Sequence, residues 1–164
     1  MFNRDFTSRE AAELAGINPA TFRSYFKKEH FRVVGSMERK EAAKDGLAHV
    51  YSWNDVMCFA VAQALIERGA HPEAAFESAM RFAYISHGSR MPGGMFDVRE
   101  DGYTYLAFDH VSGAAKVFAA DETESLFAAL ANFNGGAGHG TFLLLNKVER
   151  DVQMRLRTMQ GEFD

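Results

Sequence analysis

A pair of short helices joined by a tight turn, near the start of the chain, is the feature that most constrains the fold. Thr7 and Glu10 have the T-x-x-E spacing of a capping box, which satisfies the free amides at the start of a helix. Gly16 can adopt the left-handed conformation that ends a helix. Asn18 can cap a second helix, and Pro19 suits the first position of that helix because its missing N–H needs no partner there. The sequence therefore predicts helix, turn and helix.

The second predicted helix divides into an apolar and a polar side. Its aromatic residues Phe22, Tyr25 and Phe26 are expected to pack inward. The residues free to face outward are all short and polar or basic: Thr21, Arg23, Ser24, Lys27 and Lys28. A helix that presents such side chains beside a tight turn can place them against base edges and phosphates in DNA. We therefore expect this helix pair to bind DNA.

The charge distribution allows such contacts although the whole chain is acidic. The formal net charge is −4, but seven basic and three acidic residues between Phe22 and Lys44 give that segment a charge of +4. Salt screens charges over about 10 Å, so a local basic segment is sufficient for phosphate contacts. The alternative is an ordinary solvated, charged loop.

The segments Phe31–Gly35 and Leu47–Ser52 are rich in β-branched and aromatic residues and are predicted to pair as strands. A hairpin that follows a helix-turn-helix is the wing of a winged helix, and its basic tip would lie along the DNA backbone or in the minor groove. Two further helices are predicted, the first from Trp53 to about Arg68 and the second from about Pro72 to Ser86.

Three glycines and a proline in Ser86–Gly94 indicate a linker or domain boundary. Beyond it, Met95–Glu100 and Tyr103–His110 are predicted strands, and Ala114–Ala120 completes a hairpin. A helix from Asp121 to Asn132, a glycine loop over Asn134–Gly140, a strand over Thr141–Asn146 and a helix over Val148–Met159 are expected to follow. The predicted fold class is α+β, with a winged helix-turn-helix in residues 1–86 and a small α+β domain of hairpin, helix, strand and helix in residues 95–164.

The segment from Phe6 to about Ala75 resembles the DNA-binding domain of the MerR family of transcription regulators. The likeness lies in ordered blocks: Phe6-Thr7 with Glu10, Ala11 and Ala12; Gly16, Ile17, Asn18 and Pro19; Thr21, Phe22, Arg23 and Tyr25; Tyr51, Ser52, Asp55 and Val56; and Leu65–Gly69. The resemblance implies a winged helix-turn-helix that binds double-stranded DNA in transcription regulation.

The expected DNA-binding residues are Thr7, Asn18, Thr21, Arg23, Ser24, Tyr25, Lys27, Lys28, Arg32, Arg39 and Lys40. Arg23 and Lys27 come first because they lie four residues apart on one helix face, and arginine can pair bidentately with guanine or phosphate. Asn18 and Thr7 have a capping role as an alternative. The resemblance implies that the Tyr25 hydroxyl contacts the DNA backbone, and the alternative is a core tyrosine.

Other chemistries find little support in the sequence. Six scattered histidines and one cysteine do not have the spacing of a metal site. The glycine loop lacks the G-K-[ST] ending of a phosphate loop, and Cys58 lies in an apolar helix as a small core residue. No combination of nucleophile, base and orienting group is evident. We expect no enzymatic reaction and no cofactor.

The protein is expected to be cytoplasmic, since no apolar run of about 20 residues is present and MFNRDFTSRE lacks the apolar core of a secretion signal. As a DNA-binding regulator it is also expected to form a homodimer. The C-terminal half would dimerise the protein or bind a small-molecule effector. Two alternatives stay open: a packaging or excision factor of a mobile element, and a winged helix recruited for binding to another protein.

Overall fold

The computed structural model describes residues 4–27, 50–120, 128, 133 and 140–161, and within them the fold is a mixture of helices and strands of the α+β class. The N-terminal part consists of strand β1 (Phe6–Thr7) and helices α1 (Ser8–Ala15) and α2 (Pro19–Lys27). Strand β2 (Val50–Tyr51) follows, and Phe6 of β1 lies opposite its Tyr51 in an antiparallel pair. We refer to α1 and α2 together as the helix pair.

Local hydrogen bonds define the ends of the helix pair, as the sequence predicts. The Thr7 hydroxyl accepts from the Glu10 N–H at 3.3 Å, and the Glu10 carboxylate accepts from the Thr7 N–H at 2.8 Å. Gly16 ends α1 in the left-handed conformation, with φ of 73°. Asn18 Oδ1 accepts from the Ala20 N–H at 2.8 Å, so Asn18 caps α2. The predicted helix, turn and helix are confirmed.

The capping box at α1 gives the protein a pH-dependent contribution to stability. The hydrogen bond from the Thr7 N–H, with the nearby Arg4, holds the pKa of Glu10 below its ordinary value of 4.5. A carboxylate whose pKa is lowered by folding stabilises the native state above its unfolded pKa, and this stabilisation is lost as the pH falls through the folded pKa. We expect Glu10→Gln to be less stable than wild type at pH 7, by about 1 kcal/mol or less. Denaturant unfolding from pH 7 to 3 should show that difference shrinking below about pH 4.5. A difference independent of pH would contradict this role.

Helices α3 (Trp53–Ile66) and α4 (Pro72–Tyr84) pack on each other, and α3 forms the centre of the described fold. Ser52 and Asp55 make a second capping box at the start of α3. The Tyr84 hydroxyl at the end of α4 donates to Asp55 Oδ1, so the start of one helix is joined to the end of the other. Burial and the negative charge of Asp55 raise the pKa of Tyr84.

The segment Ser86–Gly94, predicted as a linker, is a compact turn organised around one buried side chain. Arg90 is only 2% exposed, and its guanidinium donates to the carbonyls of Phe82, Ile85, Met91 and Gly94. It therefore donates to carbonyls at the end of α4, where the last carbonyls of a helix have no N–H partner within the helix. Burial lowers the pKa of Arg90.

A three-stranded antiparallel sheet follows, with β3 (Tyr103–Asp109) between β4 (Ala115–Ala120) and β5 (Gly140–Leu144). These strands confirm the predicted hairpin and the later strand. The predicted strand Met95–Glu100 is wrong. Asp97 instead bends the chain, because its carbonyl accepts from the amides of Asp101 and Gly102 and its Oδ1 accepts from the Arg99 amide.

Helix α5 (Leu145–Gln160) follows β5 directly and closes the core, starting three residues earlier than predicted. Leu145, Val152 and Leu156 of α5 are buried with side chains of the helix pair, α3, α4 and the sheet in one continuous apolar cluster. Helix α5 also contacts α1 and α3 directly. None of the described helices is long and apolar enough to cross a membrane. The predicted strand Phe31–Gly35 and the predicted helix from Asp121 lie outside the described residues, apart from Ala128, as does most of the predicted glycine loop.

Candidate nucleic-acid interface

Helix α2 presents a polar face to solvent. Thr21 and Arg23 are exposed and Ser24 is partly buried. Asn18, at the start of the helix, is exposed as well. The predicted outward positions of Thr21 and Arg23 are confirmed, whereas the side chains of Lys27 and Lys28 lie outside the described part of the chain.

The opposite face of α2 is anchored by aromatic side chains. Phe22 is 2% exposed, and its ring lies nearly perpendicular to two others. The ring centroids are 5.0 Å apart for Phe59 and 5.8 Å apart for Tyr51. Such near-perpendicular ring pairs contribute beyond the area that they bury. Phe59 belongs to α3 and Tyr51 to β2, so one side chain fixes α2 to two elements. The polar face of α2 consequently has a defined direction.

Arg23 is an accessible cation near the start of α2. Its Nε donates to the carbonyl of Pro19 at 3.2 Å, which draws the guanidinium back over the first turn of α2. No carboxylate among the described residues forms an ion pair with it, so its terminal nitrogens are available to a ligand. Backbone amides at a helix start carry partial positive charge, and Arg23 adds a full charge at the same end.

Two other predicted contact residues are engaged in structure. The Asn18 side chain is used in capping α2 and the Thr7 side chain in capping α1, so both capping alternatives are realised. Both capping residues are exposed, so the two helix starts lie at the surface. Thr7 and Asn18 therefore act in this surface by fixing where α1 and α2 begin.

Tyr25 lies in the core, where its ring packs at 5.2 Å from that of Phe76 in α4. Burial, with a smaller effect from the charge of Glu67, raises the pKa of its hydroxyl. Tyr25 is therefore a core tyrosine, which was the alternative to a contact of its hydroxyl with DNA. Lys27 is in α2 but its side chain is not described, and Lys28, Arg32, Arg39 and Lys40 lie outside the described residues.

One residue that supports the helix pair was not among the predicted site residues. Arg155 of α5 donates from Nη1 to the carbonyl of Leu14, one of the last carbonyls of α1, at 2.9 Å. A cation at this end of a helix is also favoured by the helix dipole. The two residues are 141 positions apart, so no local sequence pattern could have revealed the contact.

Within the described part of the chain, no group of three or more histidine, cysteine, aspartate or glutamate side chains is placed to hold a metal ion. Comparison with known proteins adds no relationship: no protein-family profile matches this chain, and no curated protein has significant sequence similarity to it.

Proposed function

We propose that this protein is a sequence-specific, double-stranded DNA-binding transcription regulator with a winged helix-turn-helix of the MerR type. The observation that carries the proposal is the two-sided character of α2, whose aromatic face is fixed to α3 and β2 while Thr21 and Arg23 face solvent beside a tight turn. A recognition helix needs both properties, because base contacts are specific only when the helix has a fixed orientation.

The chemistry of this surface suits a duplex. Arg23 would supply a guanidinium for guanine or phosphate, and the positive end of the α2 dipole would favour a phosphate beside it. The basic residues that follow α2 in the sequence, from Lys28 to Lys44, would add contacts to the backbone. In a homodimer, two such helices would read half-sites about one helical turn, or a multiple, apart.

Binding to a random-sequence duplex at low salt is the first test, measured by fluorescence anisotropy. Because phosphate contacts release counterions, the affinity should fall steeply between about 50 and 200 mM salt. Sites protected by the full chain on genomic DNA would then show whether binding is sequence-specific and whether the sites flank promoters. If no duplex is bound even at low salt, the DNA-binding proposal is wrong.

We expect Arg23→Ala to weaken binding to a protected site by about 1–3 kcal/mol if the guanidinium contacts a base. Arg99→Ala is the matched control, because Arg99 is an exposed arginine in the turn before β3. It should change the affinity by no more than the general effect of one lost charge. If the two substitutions weakened binding equally, Arg23 would not be part of the interface. The thermal stability of both variants should stay close to that of wild type, so that a change in affinity reports on binding.

A further inference from the structure

A cleft of about 340 Å³ lies behind the helix pair, between the end of α1, α3, β5 and α5. Its apolar lining includes Ala60, Ala64 and Leu143, and its basic lining includes Arg68, Lys147 and Arg155. The volume is within the range of pockets that hold small molecules, about 300–1,000 Å³. All of its lining residues belong to the described part of the chain.

The basic side chains of the cleft are not equivalent. Lys147 is neutralised by Asp151, whose carboxylate lies 2.7 Å from its Nζ. Arg68 and Arg155 instead donate to backbone carbonyls, those of Ala64 at 2.7 Å and Leu14 at 2.9 Å. Neither forms an ion pair with a carboxylate among the described residues. Two guanidinium groups with unused donors therefore line a cleft that also has an apolar surface.

A polar atom in the wall of the cleft also lacks a partner. The side-chain Nε2 of Gln63 donates to Glu67 at 3.0 Å, but its Oε1 is buried and accepts no hydrogen bond from the described residues. A buried acceptor without a donor costs free energy, so a rotation of the Gln63 side chain that brought Oε1 to a ligand hydroxyl would be favourable.

We propose that this cleft is a binding site for a small amphipathic carboxylate: the carboxylate pairs with Arg155 and Arg68, and the apolar chain lies on Ala60, Ala64 and Leu143. Arginine is suited to this task because its planar fork of donors matches the two oxygens of a carboxylate. Two carboxylates also line the cleft: Asp151 is paired with Lys147, and Glu67 accepts from Gln63 Nε2. Three cations against two carboxylates leave the lining net positive, so an ammonium ligand of the same length should bind more weakly than the carboxylate.

The site adjoins the turn between the two helices. A Cβ placed on Gly16 would lie 3.1 Å from the Cζ and from both terminal nitrogens of Arg155, so the guanidinium covers this glycine. A carboxylate bound to Arg155 would therefore change the surroundings of the Gly16 backbone, where α1 ends. The proposal does not rest on DNA binding, because it can be tested entirely without DNA.

The test uses 2-hydroxyoctanoate as the probe in calorimetric titrations of the full chain at pH 7, with octylammonium as the probe of equal chain length and opposite charge. We expect one carboxylate to bind per chain with a Kd of about 0.1–1 mM, as ligands of this size allow. Arg155→Gln and, separately, Arg68→Gln should each weaken binding about tenfold or more. Arg157→Gln, which removes an exposed arginine of the same helix, should leave the Kd unchanged.

Backbone amide shifts in NMR spectra locate the probe, and those of Gly16 and Ala64 should move with the calorimetric midpoint. The Arg68 variant keeps the test decisive if loss of the Arg155 contact to α1 impairs folding. The proposal is overturned by any of three results: no saturable binding of the carboxylate, equally tight binding of octylammonium, or shifts confined to residues away from the cleft.

Discussion

Arg90→Met should lower the free energy of unfolding by about 3 kcal/mol, one of the two largest effects that we expect of a single substitution. Methionine keeps an apolar stem of similar reach but removes the guanidinium that binds the carbonyls of Phe82, Ile85, Met91 and Gly94. With Arg90 only 2% exposed, water cannot replace those donors without opening the turn. Denaturant unfolding should show a lower midpoint with an unchanged slope.

Two further variants separate the geometry of the guanidinium from its charge. Arg90→Lys keeps the charge but should lose most of the same stability, because a single ammonium cannot reach carbonyls on several sides as the planar fork does. Arg99→Met, in the exposed turn that follows, should alter stability by about 0.5 kcal/mol or less. If Arg90→Met were as stable as Arg99→Met, the buried guanidinium would not be what holds the turn to α4.

Phe22→Ala should cost about 3–5 kcal/mol of stability, because the substitution leaves a cavity between α2, α3 and β2. Phe22 is 2% exposed and packs at 5.0 Å from Phe59 and 5.8 Å from Tyr51, measured between ring centroids. The loss is concentrated where α2 is attached to the rest of the molecule. Amide hydrogen exchange in α2 should therefore accelerate more than exchange in α4.

Phe22→Leu offers a graded comparison and should cost less, since it retains part of the buried volume. Thr21→Ala is the matched surface control, because its side chain is exposed on the adjacent position of the same helix. It should leave stability within about 0.5 kcal/mol of wild type. A Phe22→Ala variant that matched Thr21→Ala in stability would mean that α2 is fixed by contacts other than this ring.

The helix pair was predictable because its determinants are local. A capping box spans four residues, and the Gly16 and Asn18-Pro19 signals act on their immediate neighbours. Which residues of α2 face outward also followed from helical spacing. The exposure of Thr21 and Arg23 and the burial of Phe22 agree with that spacing.

The remaining features depend either on a local turn that competes with a strand or on contacts between segments distant in sequence. Met95–Glu100 has the alternation of a strand, but the Asp97 side chain and carbonyl bind nearby amides and bend the chain instead. Gly and Pro around Arg90 indicated a linker, whereas the partners of its guanidinium could be known only from the fold. The contact of Arg155 with Leu14 and the cleft beside it have no local signal at all.

The continuous core has a consequence for the order of events during synthesis. Helix α3 is buried on most of its surface, and part of that cover comes from β5 and α5, close to the C-terminal end of the described chain. A nascent chain that has emerged only as far as α4 still exposes the apolar side of α3 that α5 later contacts. Such exposed surface attracts chaperones and other unfinished chains. The helix pair therefore gains its final support only when α5 leaves the ribosome, long after its own residues have been made.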